Sequence, residues 1–112
     1  MIINAEIAKE LNDAYKTTKR PLWKRVSEEL TKSGRPRAIN VSKIEKLVPN
    51  GSIVIFVGKV LGAGNLSKKL TIGALSFSAS GREKINKVGG EAILLADFVK
   101  KYKNESGIII VK

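Results

Sequence analysis

Glycines and lysines in the segment from Gly58 to Ser80 are the residues of this sequence best suited to bind a ligand. The segment contains three lysines and no carboxylate, and Gly62 and Gly64 follow an apolar run within it. Because glycine has no Cβ and adopts positive φ freely, it lets another group approach the backbone closely. The lysines indicate that the approaching group is an anion, and phosphate is the leading candidate.

Catalytic and cofactor chemistry find little support in the residue types. The string that starts at Gly62 begins like a dinucleotide-binding fingerprint, but the third glycine and the later acidic residue of that motif are absent. The string of a P-loop does not occur. The sequence has no histidine and no cysteine, which removes the commonest general base and every thiolate metal ligand. We therefore expect a binding protein that is not an enzyme and needs neither cofactor nor metal.

The balance of charges indicates what kind of partner this protein has. Lys and Arg number 21 against 10 Asp and Glu, which gives a formal net charge of +11. From Leu30 to Arg82 the only carboxylate is Glu45, among nine cations. Such an excess favours nucleic acid over a membrane, because no basic amphipathic helix with exposed apolar residues is evident. No apolar run approaches the roughly 20 residues that span a bilayer.

The scarcity of aromatic residues narrows the mode of recognition. The chain has one Trp, two Tyr and three Phe, too few for a surface that stacks on single-stranded bases. We expect recognition of the backbone and shape of a folded nucleic acid, with cations that neutralise phosphates. Residue types alone leave RNA and DNA open, so a free-standing DNA-binding architectural protein is one alternative. A small nucleotide-binding module built on the Gly62–Gly64 loop is the other.

The hydrophobic pattern predicts two helices at the start of the chain. Residues 4–15 place apolar side chains at helical spacing, and a second helix begins at Pro21, where a missing N–H costs nothing. Trp23 lies on the apolar stripe of the second helix, and we expect it in the core. This helix ends near Gly34, and the basic arm from Lys19 to Arg37 is suited to follow phosphates.

The rest of the chain shows a pattern in which a capped helix, a glycine turn and a buried strand recur three times. The predicted helix caps are Ser42, Ser80 and Asp97. The apolar strands after the turns are expected to be buried on both faces. These strands cover residues 53–57, 92–95 and 108–111.

One further strand, residues 69–77, lies between the first two repeats, with a β-bulge expected at Gly73. We expect the segment from Gly58 to Ser80 to project from the repeat core. The predicted fold class is α/β, in a single domain over residues 1–112. A helical basic N-terminal region, residues 1–38, precedes the α/β repeat core, residues 39–112.

Four stretches of this sequence resemble one known family, the archaeal and eukaryotic large-subunit ribosomal proteins called L-eighteen-e, a sister of bacterial L-fifteen. Together they cover nearly the whole chain, and the longest is the most specific. One departure is visible, because the family often has a histidine near Ser67 and Lys68, and this sequence has none. The stretches are GKVLGAGNLSKKLTIGALSFSASGREKINKVGGEAI, INVSKIEKLVPNG, SGIIIVK and PLWKRVSEELTKSGRPR.

The resemblance implies a non-catalytic, structural constituent of the large ribosomal subunit in the cytoplasm. Large-subunit rRNA and neighbouring ribosomal proteins are the implied partners, with no membrane and no small-molecule substrate. The implied fold is an α/β arrangement of irregular β-β-α turns. We expect three basic surfaces to contact rRNA: the arm, the loop between Lys59 and Lys69, and the region around the predicted cap of the second repeat. The residues predicted to bind RNA are Lys19, Arg20, Lys24, Arg25, Lys32, Arg35, Arg37, Lys59, Gly62, Gly64, Lys68, Lys69, Ser78, Ser80 and Arg82.

Overall fold

Five parallel strands form the centre of the molecule in a computed structural model that describes residues 5–32 and 37–111. The strands are β1 (Ala38–Asn40), β2 (Ile53–Leu61), β3 (Thr71–Phe77), β4 (Glu91–Leu94) and β5 (Ile109–Val111). β3 pairs along one edge of β2, and β4 pairs with β3. β5 and β1 share the other edge of β2, with β5 beside its start and β1 beside its end. Because all pairs are parallel, the carboxyl ends of β1, β2, β3 and β4 lie toward the same side of the sheet.

Helices cover both faces of the sheet, so the fold is α/β. The helices are α1 (Ala5–Thr18), α2 (Pro21–Lys32), α3 (Val41–Leu47), α4 (Ala79–Lys87) and α5 (Leu95–Tyr102). On one face, α3 and α4 pack with Val54 and Phe56. On the other, α1, α2 and α5 pack with Ile55 and Val57. Neighbouring residues of β2 are therefore buried in opposite layers, which confirms the predicted burial on both faces for this strand. In β4 and β5 only Val111 is buried, and Leu94 is exposed.

The two predicted N-terminal helices are present as α1 and α2. Helix α1 continues past the predicted end to Thr18, whose Oγ1 donates to the Ala14 carbonyl at 2.7 Å. Trp23 is 0% exposed, and its Nε1 donates to the Lys103 carbonyl at 2.9 Å, so the prediction of a core residue is confirmed. Within the described residues, no helix is long and apolar enough to cross a membrane.

The predicted helix caps are wrong by two or three residues. Helix α3 begins at Val41, α4 at Ala79 and α5 at Leu95. Each of these helices follows a strand at once or after one residue, so the end of the strand sets the start of the helix. The capping-box pattern at Ser42 and Ser80, and the aspartate at position 97, instead placed the caps inside the first turn. The predicted caps Ser42, Ser80 and Asp97 therefore lie within the helices.

The β-bulge was predicted on the wrong strand. The register shifts between Phe56 and Lys59, where two residues of β2 stand opposite one residue of β3. Gly58 lies in this bulge, and a Cβ there would be 2.6 Å from the backbone oxygen that precedes β1. Gly73 instead allows the ring of Phe98 to pack against the backbone of β3, because a Cβ on Gly73 would be 2.5 Å from that ring.

Three equivalent repeats are not confirmed, although a turn and a strand do follow each of α3, α4 and α5. The strands after these helices contain 9, 4 and 3 residues. Helix α5 also packs on the face opposite to α3 and α4. Strand β1 was not predicted; its three residues lie between the end of the predicted arm at Arg37 and the predicted cap Ser42.

Candidate nucleic-acid interface

Residues 62–70, which we call the crossover, join the end of β2 to the start of β3. Since the two strands are parallel neighbours, the crossover must return along the length of the sheet. It does so across the layer of α3 and α4, with Leu70 buried and Leu66 packed against the core. The expectation that this segment projects from the core is therefore wrong. The crossover lies on the surface of the helical layer and exposes residues 63–65, Ser67 and Lys69.

The glycines of the crossover face helices of the same chain. A Cβ on Gly62 would lie 2.5 Å from the carbonyl carbon of Ser80 and 2.6 Å from the nitrogen of Gly81, both in α4. A Cβ on Gly64 would lie 2.5 Å from the Cβ of Ser42 in α3, and Gly64 also has a φ of +84°. The close approach that the sequence predicted is thus an internal contact that seats the crossover on α3 and α4.

One carboxylate holds the middle of the crossover. Glu45 Oε1 accepts hydrogen bonds from the Ser67 amide at 2.6 Å, the Ser67 hydroxyl at 2.7 Å and the Lys68 amide at 2.9 Å. These donors lower the pKa of Glu45 below its ordinary value of 4.5, with the Ser67 hydroxyl contributing most. The carboxylate bonds therefore stabilise the fold above the ordinary pKa and are lost as the pH falls through the lowered pKa.

The side chains of the two lysines in the crossover point in different directions. Lys68 points back to the protein, where its Nζ donates to the Glu45 carbonyl at 2.7 Å and to the Val48 carbonyl at 3.0 Å. These carbonyls lie at the end of α3, which favours a cation. The Lys69 side chain is exposed, while its amide donates to Asn50 Oδ1 at 2.8 Å. Of the pair, Lys69 is the one that is exposed to solvent.

The other predicted residues of the repeat core lie toward the carboxyl ends of the strands. Lys59 is exposed near the end of β2. It lies six residues after Ile53, the β2 residue that pairs with Thr71 at the start of β3. That offset corresponds to roughly 20 Å along the strand, so Lys59 and Lys69 do not form one loop surface as predicted. Arg82 is exposed on α4, with its guanidinium 5.2 Å from the centre of the Phe77 ring.

Ser78 and Ser80 have different positions at the start of α4. Ser78 is the N-cap, and its Oγ accepts a hydrogen bond from the Gly81 amide at 3.0 Å. Ser80 is exposed in the first turn, with its Oγ 3.3 Å from that of Ser78.

We expect Ser78→Ala to lower the free energy of unfolding by about 1 kcal/mol, because the Gly81 amide loses its capping partner. In a domain of this size that is a fall in melting temperature of about 5 °C, measured by thermal unfolding. Ser80→Ala is the matched control and should change the melting temperature much less. A larger effect of Ser80→Ala would instead favour the cap that the sequence predicted.

The arm contributes cations to the opposite helical layer. Lys24 and Arg25 are exposed on α2, and Arg20 Nη2 donates to the Asn104 carbonyl at 2.9 Å. Lys19, in the turn before α2, is exposed and has a φ of +58°. Lys32 ends α2, but its side chain and the whole of Arg35 lie outside the described residues.

Arg37 is engaged within the protein. Its Nη1 lies 2.8 Å from Oε2 of Glu29, whose side chain is only 7% exposed. The Arg37 carbonyl accepts a hydrogen bond from the Lys59 amide at 2.9 Å. Arg37 therefore ties the start of β1 to α2 and to β2, a structural role that its sequence context did not indicate.

The two helical layers differ strongly in charge. Together α3, the crossover and α4 carry seven cations and two carboxylates, whereas α1, α2 and α5 carry seven cations and six carboxylates. The residues predicted to bind RNA omit four of the cations in the first layer, although two of these four were counted in the cationic stretch from Leu30 to Arg82. Lys84 donates to the Gly64 carbonyl at 2.5 Å, and the other three are exposed. The missed residues are Lys43, Lys46, Lys84 and Lys87.

We call the outer surface of α3, the crossover and α4 the basic face. It presents exposed lysines around a carboxylate that is already hydrogen-bonded, which is the charge pattern that attracts phosphates. In the described part of the chain, residues 5–32 and 37–111, acidic side chains form no group of three that could hold a metal ion.

Known proteins resemble this chain over most of its length. Residues 20–93 match a family model that is described as ribosomal proteins 50S-L15 and 50S-L18e together with a 60S counterpart. The large ribosomal subunit protein eL18 of Sulfurisphaera tokodaii is 43% identical over 107 residues, covering 95% of this chain and 91% of the relative. The protein of the same name from Archaeoglobus fulgidus is 40% identical over 89 residues, covering 79% and 76%. That from Pyrobaculum aerophilum is 33% identical over 106 residues, covering 94% and 87%.

Proposed function

This chain belongs to the ribosomal protein family that those proteins represent, and from that premise we propose that it is a structural constituent of the large ribosomal subunit that binds rRNA. The family relation supports a role in assembly and architecture rather than in catalysis. It also supports the cytoplasmic ribosome as the location, and rRNA and neighbouring ribosomal proteins as the partners. All 112 residues act as one domain in this proposal.

The observation that carries the proposal is the charge of the basic face, with seven cations against two carboxylates. Each cation that neutralises a phosphate releases condensed counterions, and this release supplies much of the affinity for nucleic acid. Five exposed cations lie on the face itself, and Lys59 adds one near the end of β2. The five are Lys43, Lys46, Lys69, Arg82 and Lys87.

The arm remains a second proposed contact, through Lys19, Lys24 and Arg25. These residues are exposed, but their layer is nearly balanced in charge. We therefore propose that the arm adds to binding and that the basic face supplies most of the affinity. In this proposal the predicted residues Gly62, Gly64, Lys68, Arg37 and Ser78 act on RNA binding through the shape of the protein.

A nucleotide-binding module is the weaker alternative. The space beside Gly62 is filled by Ser80 and Gly81, and the space beside Gly64 is filled by Ser42. A phosphate therefore cannot use the approach that these glycines would have offered. Added nucleotide should leave the melting temperature unchanged, whereas a module of this kind would be stabilised.

Binding to large-subunit rRNA should weaken steeply as salt rises. If five to six phosphates are neutralised, the slope of log K against log[salt] should be roughly −4 to −5, from about −0.7 to −0.9 per phosphate. The measurement is a titration of overlapping rRNA transcripts at several salt concentrations, with duplex DNA as the competitor at matched salt. A flat salt dependence, or equal affinity for duplex DNA, would contradict the proposal.

A further inference from the structure

We infer that Glu45 is a positioning residue, which together with Lys68 fixes the crossover in its RNA-binding shape before RNA arrives. This inference rests on the proposed function and adds a mechanism to it. Glu45 would contact no phosphate. It would act through Ser67 and Lys68, whose positions determine where Lys69 presents its ammonium.

The contacts form a reciprocal clamp between α3 and the crossover. The Glu45 side chain accepts from the Ser67 amide and hydroxyl and from the Lys68 amide, at 2.6 to 2.9 Å. In return, the Lys68 ammonium donates to the carbonyls of Glu45 and Val48 at 2.7 and 3.0 Å. The Glu45 carboxylate thus binds backbone amides of the crossover, and the Lys68 ammonium binds backbone carbonyls at the end of α3. Hydrogen bonds in which one group is charged are stronger than those between neutral groups.

The crossover depends on such contacts because it has no regular secondary structure of its own. Its amides at Ala63 and Lys69 donate to the side chains of Asn40 and Asn50. With the clamp removed, residues 66–68 would have to be ordered when RNA binds, at a cost in conformational entropy. A preformed crossover avoids that cost.

The sign of the charge makes this role testable. Glu45 lies on a face whose partner is a polyanion, so a simple electrostatic view predicts that its removal strengthens RNA binding. The clamp predicts the opposite. Glu83 is the other carboxylate of the same layer; it is exposed on α4 and has no hydrogen bond or ion pair among the described residues. It is therefore the matched control for the removal of one negative charge.

The experiment compares the full-length wild type with Glu45→Ala and Glu83→Ala. The probe is the large-subunit rRNA transcript that the wild type binds most tightly, titrated at several salt concentrations and at a temperature where all variants are folded. Amide hydrogen exchange of the free proteins is measured in parallel. If Glu45→Ala melts too low, Glu45→Gln and Glu83→Gln replace the alanine pair, since Gln keeps the size of the side chain and removes its charge.

We expect Glu45→Ala to bind about tenfold more weakly with an unchanged salt slope, because ordering the crossover costs affinity while the number of neutralised phosphates stays the same. The amides of Ser67 and Lys68 should lose protection while Val54 in β2 keeps it. Glu83→Ala should bind as tightly as the wild type or somewhat more tightly. If Glu45→Ala binds as well as Glu83→Ala, the inference is wrong. If the wild type itself shows no salt-dependent binding, the proposed function fails as well.

Discussion

Gly62→Ala is expected to destabilise the fold by about 3 kcal/mol, at the upper end of the usual cost of overpacking. The new Cβ would lie 2.5 Å from the carbonyl carbon of Ser80 and 2.6 Å from the nitrogen of Gly81. Both are backbone atoms in the first turn of α4, so they cannot move aside as a flexible side chain can. Thermal unfolding should show a fall in melting temperature of about 10–15 °C.

Gly51→Ala is the matched control, because it separates steric contact from backbone strain. Gly51 has a φ of +85°, but a Cβ there has nothing within 4 Å. Its cost is the left-handed conformation alone, about 1–2 kcal/mol. If Gly62→Ala kept the wild-type melting temperature and weakened only RNA binding, Gly62 would face RNA, as the sequence first indicated.

Local patterns were sufficient to predict the five helices and four of the five strands in the described residues. The apolar run from Ile53 to Val57 identified the central strand, and the stripe around Trp23 identified the packed face of α2. These predictions hold because buried apolar residues recur along the chain at the spacing of a helix or a strand, and a short stretch of sequence is enough to show that spacing. The caps failed because a competing local signal, a serine or aspartate that is suited to cap a helix, lies two or three residues beyond the end of each strand.

The partners of individual residues were harder to predict, since they depend on packing between distant segments. Gly62 and Gly64 signalled that something approaches the backbone, but the sequence does not say that Ser80 and Ser42 are what approaches. Lys68 and Lys69 are adjacent and identical in type, yet only Lys69 is exposed. Lys68 turns inward because the end of α3 offers it two carbonyl oxygens.

The sequence interpretation assigned the isolated carboxylate, Glu45, to a capping box with Ser42, and this assignment is wrong. Glu45 is the only acid in a long cationic window, and a surface built to attract phosphates gains nothing from an acid unless that acid has another task. Its task is visible only in the structure, in the three hydrogen bonds to the crossover. A lone charge of the wrong sign on a charged surface is therefore a useful sign of a structural contact.

The difference in charge between the two helical layers leads to a second prediction with a large effect, which concerns the affinity for rRNA. Replacing three exposed lysines of the basic face with Gln should weaken binding to rRNA by roughly 10²-fold at 0.1 M salt and reduce the salt slope by about 2 to 3. The estimate follows from about 0.7–0.9 in slope for each phosphate that is no longer neutralised. The measurement is the salt-dependent titration of rRNA transcripts, and the variant replaces Lys43, Lys46 and Lys87.

A variant of the opposite layer removes the same charge from a different place. It replaces Lys9, Lys16 and Lys100, which are exposed on α1 and α5, so both variants lower the net charge from +11 by the same three units. Lys100 gives up only an exposed ion pair with Glu6 at 3.5 Å, and such pairs contribute little. If affinity follows net charge alone, the two variants will bind equally weakly, and the basic face has no special role. If the face directs binding, the α1 and α5 variant will stay within about threefold of the wild type, because its lysines contact no phosphate and act only through a screened field.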